Sequence, residues 1–123
     1  ENTDKALKIA CEKTNSEIKE YTAAPIFMNG NKKGAHEWLI EFKREPKNLD
    51  YFSELLDNAL KSLNSDYEAK RFNNITLNQP RLHKAKSNLF YNWLKHNSKL
   101  GGQNKIARLS NSRDFIEELL KNN

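Results

Sequence analysis

His36-Glu37-Trp38-Leu39-Ile40-Glu41-Phe42, running on across Pro46 to the stretch from Leu49 to Leu63, decides the fold. The first stretch alternates with period two. Trp38, Ile40 and Phe42 share one face, and Glu37, Leu39 and Glu41 share the other, as side chains do along a strand. In the second stretch Leu49, Phe52, Leu55, Leu56, Ala59, Leu60 and Leu63 fall on one stripe at helical spacing. Pro46 stands between them, where a residue without a backbone N–H ends the strand. A strand with an apolar face, followed by a helix with an apolar stripe, predicts a sheet covered by that helix.

Toward the N-terminus, Asn29-Gly30-Asn31-Lys32-Lys33-Gly34 is rich in turn formers. It is preceded by a stretch from Ile18 to Met28 that reads as a strand interrupted near Pro25. The two strands are expected to pair antiparallel. Before them Thr3 is placed to cap a helix through Ala6, Leu7, Ile9, Ala10 and Cys11, ended by Thr14-Asn15-Ser16. Toward the C-terminus, Asn64 breaks the long helix and Ser65-Asp66-Tyr67-Glu68 has the form of a capping box for a short helix through Arg71. Asn73-Asn74 ends it. The stretch from Ile75 to Lys86 reads as one interrupted strand, or two, split around Pro80. Ser87 is placed to cap a helix burying Leu89, Phe90, Trp93 and Leu94. A last helix begins near Asn111 or Ser112 and buries Phe115, Ile116, Leu119 and Leu120. The order α-β-β-α-α-β-α-α predicts an α+β fold, an α/β sandwich. Its small sheet, mixed or antiparallel and of about three strands, packs with four to five helices in two layers.

The 123 residues suit one domain, and 37% hydrophobic residues are enough for a modest core. Cys11 is the one cysteine, so no intrachain disulfide forms and a reducing compartment, the cytoplasm, is expected. No apolar run approaches the ~20 residues that cross a bilayer. The acidic, polar opening Glu1-Asn2-Thr3-Asp4 gives no expectation of a signal peptide. Met28 is the sole methionine, so the sequence is read as a piece of a longer chain.

His36, His83 and His96 show no metal-ligand spacing, and no metal site is expected. Neither a nucleophile elbow nor a glycine-rich phosphate motif occurs. Trp38, Phe42, Phe52, Phe90 and Trp93 sit on apolar faces, which makes them core rather than a base-stacking surface. Tyr67 and Arg71 are one helical turn apart and share a face. They either reach a ligand or form a packed tyrosine beside a surface arginine bonded to Glu68 or Asp66, and the residues alone favour the second. Gly101-Gly102-Gln103-Asn104-Lys105-Ile106-Ala107-Arg108 lies between two helical patterns. It is either a stiff cationic loop that holds a phosphate or carboxylate, or a glycine-terminated helix end followed by solvated residues. Spacing alone favours the latter.

Leu63-Asn64-x-x-Tyr67-x-x-x-Arg71, followed further along by Gly101-Gly102-Gln103-Asn104-Lys105-Ile106-Ala107-Arg108, resembles the C-terminal domain of the auxin-responsive acyl-acid amido synthetases. The Ile26-Phe27-Met28 strand, the His36-Glu37-Trp38 strand and the final leucine-rich helix fit the same domain, and the likeness is to bacterial members. The resemblance implies a single lid domain over 1–123 that belongs to a larger adenylate-forming ligase. That enzyme joins a carboxylic acid to an amino acid through an acyl-adenylate, using ATP with Mg. The domain alone is expected to bind neither and to turn nothing over. Its expected partners are the N-terminal domain of the same polypeptide and, in the full enzyme, the acyl-adenylate and amino acid; membrane and nucleic acid are not among them.

The family's active-site lysine corresponds to Lys105, with Gly101, Gly102, Gln103, Asn104 and Arg108 supporting the loop. Tyr67 and Arg71 become structural or interdomain residues. Plant relatives carry Tyr before the lysine and Pro-Arg after it, where Asn104 and Ala107 depart and Arg108 agrees. Charge alone supports a different reading. A formal net charge of +5 with basic loops suits a free-standing module that binds nucleic acid or an acidic protein.

Overall fold

In the computed structural model, which describes residues 2–30, 32–97 and 108–123, the sheet is organised around the stretch from His36 to Phe42. Its central strand is β2 (Ala35–Arg44). β1 (Glu17–Ile26) pairs with it antiparallel, Tyr21 opposite Ile40 and Ala23 opposite Trp38, with a bulge between Glu17 and Glu20. β3 (Arg81–Lys84) pairs with its other edge in parallel, Trp38 opposite Leu82. The sheet is therefore mixed, in the order β1-β2-β3.

Among the described residues five helices surround it: α1 (Asn2–Thr14), α2 (Leu49–Leu63), α3 (Ser65–Arg71), α4 (Leu89–His96) and α5 (Asp114–Lys121). A 3-10 turn, Phe72–Asn74, follows α3. The expected element order holds, and the fold is α+β.

The expected two layers become three. Trp38 and Ile40 of β2 pack with Ala6, Leu7 and Ala10 of α1 and with Phe52, Leu56 and Leu60 of α2. Leu39, on the opposite face, packs with Leu89 and Phe90 of α4 and Ile116 and Leu119 of α5. Phe52, Leu56, Leu39 and Leu119 are each fully buried. Burying one such side chain contributes about 1.5–3 kcal/mol, so both cores matter to stability. The third layer was hidden because Leu39 stands between Glu37 and Glu41, and acidic neighbours read as a solvated face. Both glutamates are in fact buried.

Pro25 does not interrupt β1; it stays in the ladder opposite His36. The Ala23 N–H points away from β2, and Pro25, two residues on, has the same orientation. Its missing donor thus faces the outer edge, where no bond of the β1–β2 ladder is lost. β1 stops at Ile26, which leaves Phe27 and Met28 outside it and exposed. The strand expected over 75–86 shrinks to four residues after Pro80, preceded by an isolated parallel bridge between Gly34 and Leu77.

Several caps fall one residue from their expected places. Thr3 lies inside α1. Asn64, not Ser65, caps α3 by accepting from the Tyr67 N–H at 3.1 Å. Asn88 rather than Ser87 precedes α4, in a left-handed conformation. Asn15, Asn73, Asn74 and Asn88 all have positive φ at element junctions. Asparagine tolerates that region because its short side chain bonds locally.

Candidate functional site

Gly101, Gly102, Gln103, Asn104 and Lys105 lie outside the described residues. Arg108 lies within them, and it is fastened to the outer edge of β1. Its carbonyl accepts from the Ala23 N–H at 2.7 Å, and the Ser110 N–H donates to the Ala23 carbonyl at 3.2 Å. These two bonds set Leu109 beside Ala23 in a short parallel bridge. The Arg108 Nε donates to Glu20 Oε1 at 2.8 Å, and its guanidinium stands 5.3 Å from the centre of the Tyr21 ring. That hydrogen bond to Glu20 raises the Arg108 pKa further.

Tyr21 in turn donates from its hydroxyl to Asp4 of α1 at 3.0 Å. Burial first, then the carboxylate of Asp4, push its phenol up to about 12. The hydroxyl therefore stays protonated and keeps donating at neutral pH. A continuous chain of contacts thus runs from α1 through β1 to Arg108, where the segment rejoins the sheet.

Arg113 makes a second tie immediately before α5. It donates to the Pro25 carbonyl at 3.0 Å, to Glu37 Oε1 at 2.7 Å and to Glu117 Oε2 at 3.0 Å. The other oxygen of Glu37 lies 2.7 Å from His83 Nε2 on β3. Burial opposes ionisation of Glu37. The hydrogen bonds and charges of Arg113 and His83 outweigh it and hold the carboxyl below its ordinary range. Glu37 on the central strand therefore links β3 to Arg113 at the start of α5, and Arg113 adds the bond to β1. Glu41, two turns of the pleat away, accepts from the Asn88 N–H at 2.8 Å and lies 3.5 Å from the Lys19 ammonium. It does for α4 what Glu37 does for α5.

Tyr67 and Arg71 do share a face, and the face points inward. Both are buried, and both converge on Asp57 of α2. The Tyr67 hydroxyl donates to Asp57 Oδ1 at 2.6 Å; Arg71 donates to Oδ1 at 2.9 Å and to Oδ2 at 2.6 Å. Arg71 also reaches Asn74 and the Leu77 carbonyl. The expected surface arginine bonded to Glu68 or Asp66 is overturned: Asp66 pairs with Lys70 instead. Burial works against the charge on Asp57. The bonds from Arg71 and Tyr67, with Lys61 nearby, prevail and hold its carboxyl low. Burial and Asp57 together push the Tyr67 phenol far up. His36 stacks on Tyr67 with ring centres 5.9 Å apart, and burial lowers its pKa, so at neutral pH it is uncharged.

A cleft of about 620 Å³ lies beside Asp57 and Arg71, rimmed by Asp50, Glu54, Lys61 and Arg81. A second, of about 460 Å³, lies where Leu109, Ser110 and Asn111 pass His36, Trp38 and Tyr67. The larger is not the one next to the motif segment. Proximity to Arg108 favours the smaller, because chemistry rather than volume defines a site. Among the described residues no group of three or more His, Cys, Asp or Glu side chains is placed to hold a metal ion. Sequence reasoning missed Glu20, Glu37, Asp57 and Arg113. Glu37 and Glu41 flanking an apolar Leu39 within one strand was the available signal, since a half-solvated strand has no need of a leucine there.

Two among the solved structures that share this fold are acyl acid amido synthetases. One, described as GH3.15 acyl acid amido synthetase, aligns over 99% of this chain with a TM-score of 0.73 and 20% identity. The other, AtGH3.15 acyl acid amido synthetase in complex with 2,4-DB, aligns over 98% with a TM-score of 0.74 and 18% identity. The chain spans only 24% and 23% of their lengths. No curated protein sequence matches it. The family model for the GH3 family C-terminal domain matches residues 1–114, nearly the full length, and the chain accordingly belongs to the GH3 family as its C-terminal domain.

Proposed function

We propose that this is the mobile lid domain of an ATP-dependent ligase that adenylates a carboxylic acid and conjugates it to an amino acid. The observation that carries the reading is the family match across residues 1–114. The shared fold supports it, as does the share of the relatives' length that this chain leaves uncovered. In this reading the nucleotide, its Mg and the acid belong to a larger N-terminal part of the same polypeptide, in the cytoplasm. Lys105 is the residue the domain supplies, and it carries a compact charge on a long stem. When bound, ATP provides the leaving pyrophosphate. The task left to this chain is to place one ammonium where negative charge grows, and to exclude water as the lid closes.

The described geometry supports that role at one end of the segment. One backbone bond and one ion pair root Arg108 on β1, and the Ser110–Ala23 bond holds the chain just after it. Fixed donors are worth most because they need no reorganisation during the reaction. Among the described residues, Arg71, Arg108 and Arg113 are all committed to internal carboxylates. This weakens the reading as a free-standing basic module, in which such side chains would face phosphates.

The test is Lys105→Ala in the complete enzyme, followed by pyrophosphate release. Loss of one preorganised donor is expected to cost about 2.7–4 kcal/mol of barrier, a fall of roughly 10²–10³-fold. An unchanged rate would remove Lys105 from the role. Steep, salt-dependent retention of DNA or RNA by the same protein in a filter assay would favour the binding-module reading instead.

A further inference from the structure

We infer that the face built by Phe27, Met28, Phe72 and Ile75 is the surface through which this domain seats against the larger part of its own polypeptide, an inference that rests on the ligase reading above. These four side chains are 60%, 60%, 66% and 64% exposed. They account for most of the exposed large hydrophobics among the described residues; Tyr51, Tyr91 and Leu109 are the others, on separate elements. Single exposed apolar residues are ordinary, whereas a group of them marks a contact surface.

The grouping follows from the backbone. Phe27 and Met28 leave the end of β1, while Phe72 and Ile75 belong to the turn after α3. The Gly34–Leu77 bridge ties these two connections together, and the Asn78 N–H donates to the Gly34 carbonyl at 2.8 Å. The Met28 side chain packs at the same place. Its Cγ would lie 3.5 Å from a Cβ on Gly34, and Leu77 Cδ1 would lie 3.9 Å from it. A side chain at position 34 would also crowd the Ile26 carbonyl at 3.0 Å, so glycine keeps the two connections in register.

Charge and size identify the occupant. Lys32 and Lys33 are exposed on the connection that carries Met28. In a two-fold pair of copies the same patch meets itself, so these lysines would face one another on a domain of formal charge +5. A second copy is therefore disfavoured, and a partner with an apolar centre and an acidic rim fits. The solved relatives hold about three-quarters more of their chain beyond the part this domain matches, which is ample surface for such a partner.

The experiment uses the full-length enzyme carrying Ile75→Cys, with Phe72→Cys as a second probe and Tyr91→Cys on α4 as a reference. Maleimide labelling of each position is followed by peptide mass spectrometry, in the resting enzyme and with ATP plus an accepted carboxylic acid. Both probe positions are expected to label at least about tenfold more slowly than a free thiol in one of these states, as in a contact that excludes water. Labelling at the free-thiol rate in every state overturns the inference. Protection that appears only as protein concentration rises, with a doubled mass, assigns the face to a second copy and also overturns it. Pyrophosphate release is measured on the same samples. Protection without any acid-dependent release supports the surface while removing the ligase reading.

Discussion

Asp57 receives three donated hydrogen bonds from two side chains that sequence pairs with each other but not with it. Tyr67 and Arg71 are visibly on one helical face, yet their common acceptor lies on the preceding helix, among polar residues that read as its solvated side. No spacing rule reaches across that break. Arg71→Ala is expected to destabilise the domain by about 3–5 kcal/mol, because it strands a buried carboxylate. Arg71→Lys should also lose stability, since an ammonium cannot occupy both oxygens and the Leu77 carbonyl in one plane. Urea denaturation of the three proteins checks both.

Asp57 and Glu37 also set an acid limit. Their folded carboxyls hold protons less tightly than the same groups in the unfolded chain. The stability they contribute is complete above the unfolded carboxylate range, about pH 4. It is lost as pH falls through the lower folded values, because the unfolded state then binds more protons. Unfolding midpoints measured down to pH 3 should fall steeply, and less steeply in Glu37→Gln.

At the scale of elements, β2 was legible as a strand and α2 as a helix, but the exposure of β2 was not. Period two sorts side chains into faces; it does not say whether a face meets water. Leu39 decides between the alternatives. On a solvated face, Leu39→Ala would change stability by less than about 0.5 kcal/mol. Fully buried under α4 and α5, it is expected to cost about 2–5 kcal/mol by losing contacts and leaving a cavity. Chemical denaturation separates the two. The helices carried clear apolar stripes because burial on one side is enough to define them. Their caps were less legible: Ser and Thr compete with Asn for the same position, and asparagine alone also tolerates the left-handed backbone found at Asn88.

Across the whole molecule, the three layers put the motif segment's return point on a sheet edge already loaded with fixed groups. Glu20 and Tyr21 hold Arg108 from below, and Asp4 holds Tyr21. Sequence showed Arg108 as part of a motif, while its partners lie far back along the chain and could be found only by folding. This arrangement separates stability from activity. The Arg108–Glu20 pair is half exposed, and such pairs contribute no more than about 1 kcal/mol because solvent screens them. Arg108→Ala should therefore shift the unfolding midpoint of the complete enzyme only slightly. If the contact fixes the root of the segment that bears Lys105, the same substitution should lower the rate of pyrophosphate release well beyond that loss, and chiefly in kcat. A donor that is misplaced during the reaction costs transition-state stabilisation, whereas ground-state binding of ATP and acid is largely unaffected. Glu20→Gln keeps a neutral acceptor for Arg108 and should lose less than Arg108→Ala. Equal, small losses in both variants would show that the contact only anchors the chain. A kcat loss in Arg108→Ala, partly spared in Glu20→Gln and accompanied by an almost unchanged unfolding midpoint, would show that this edge positions the segment for the reaction.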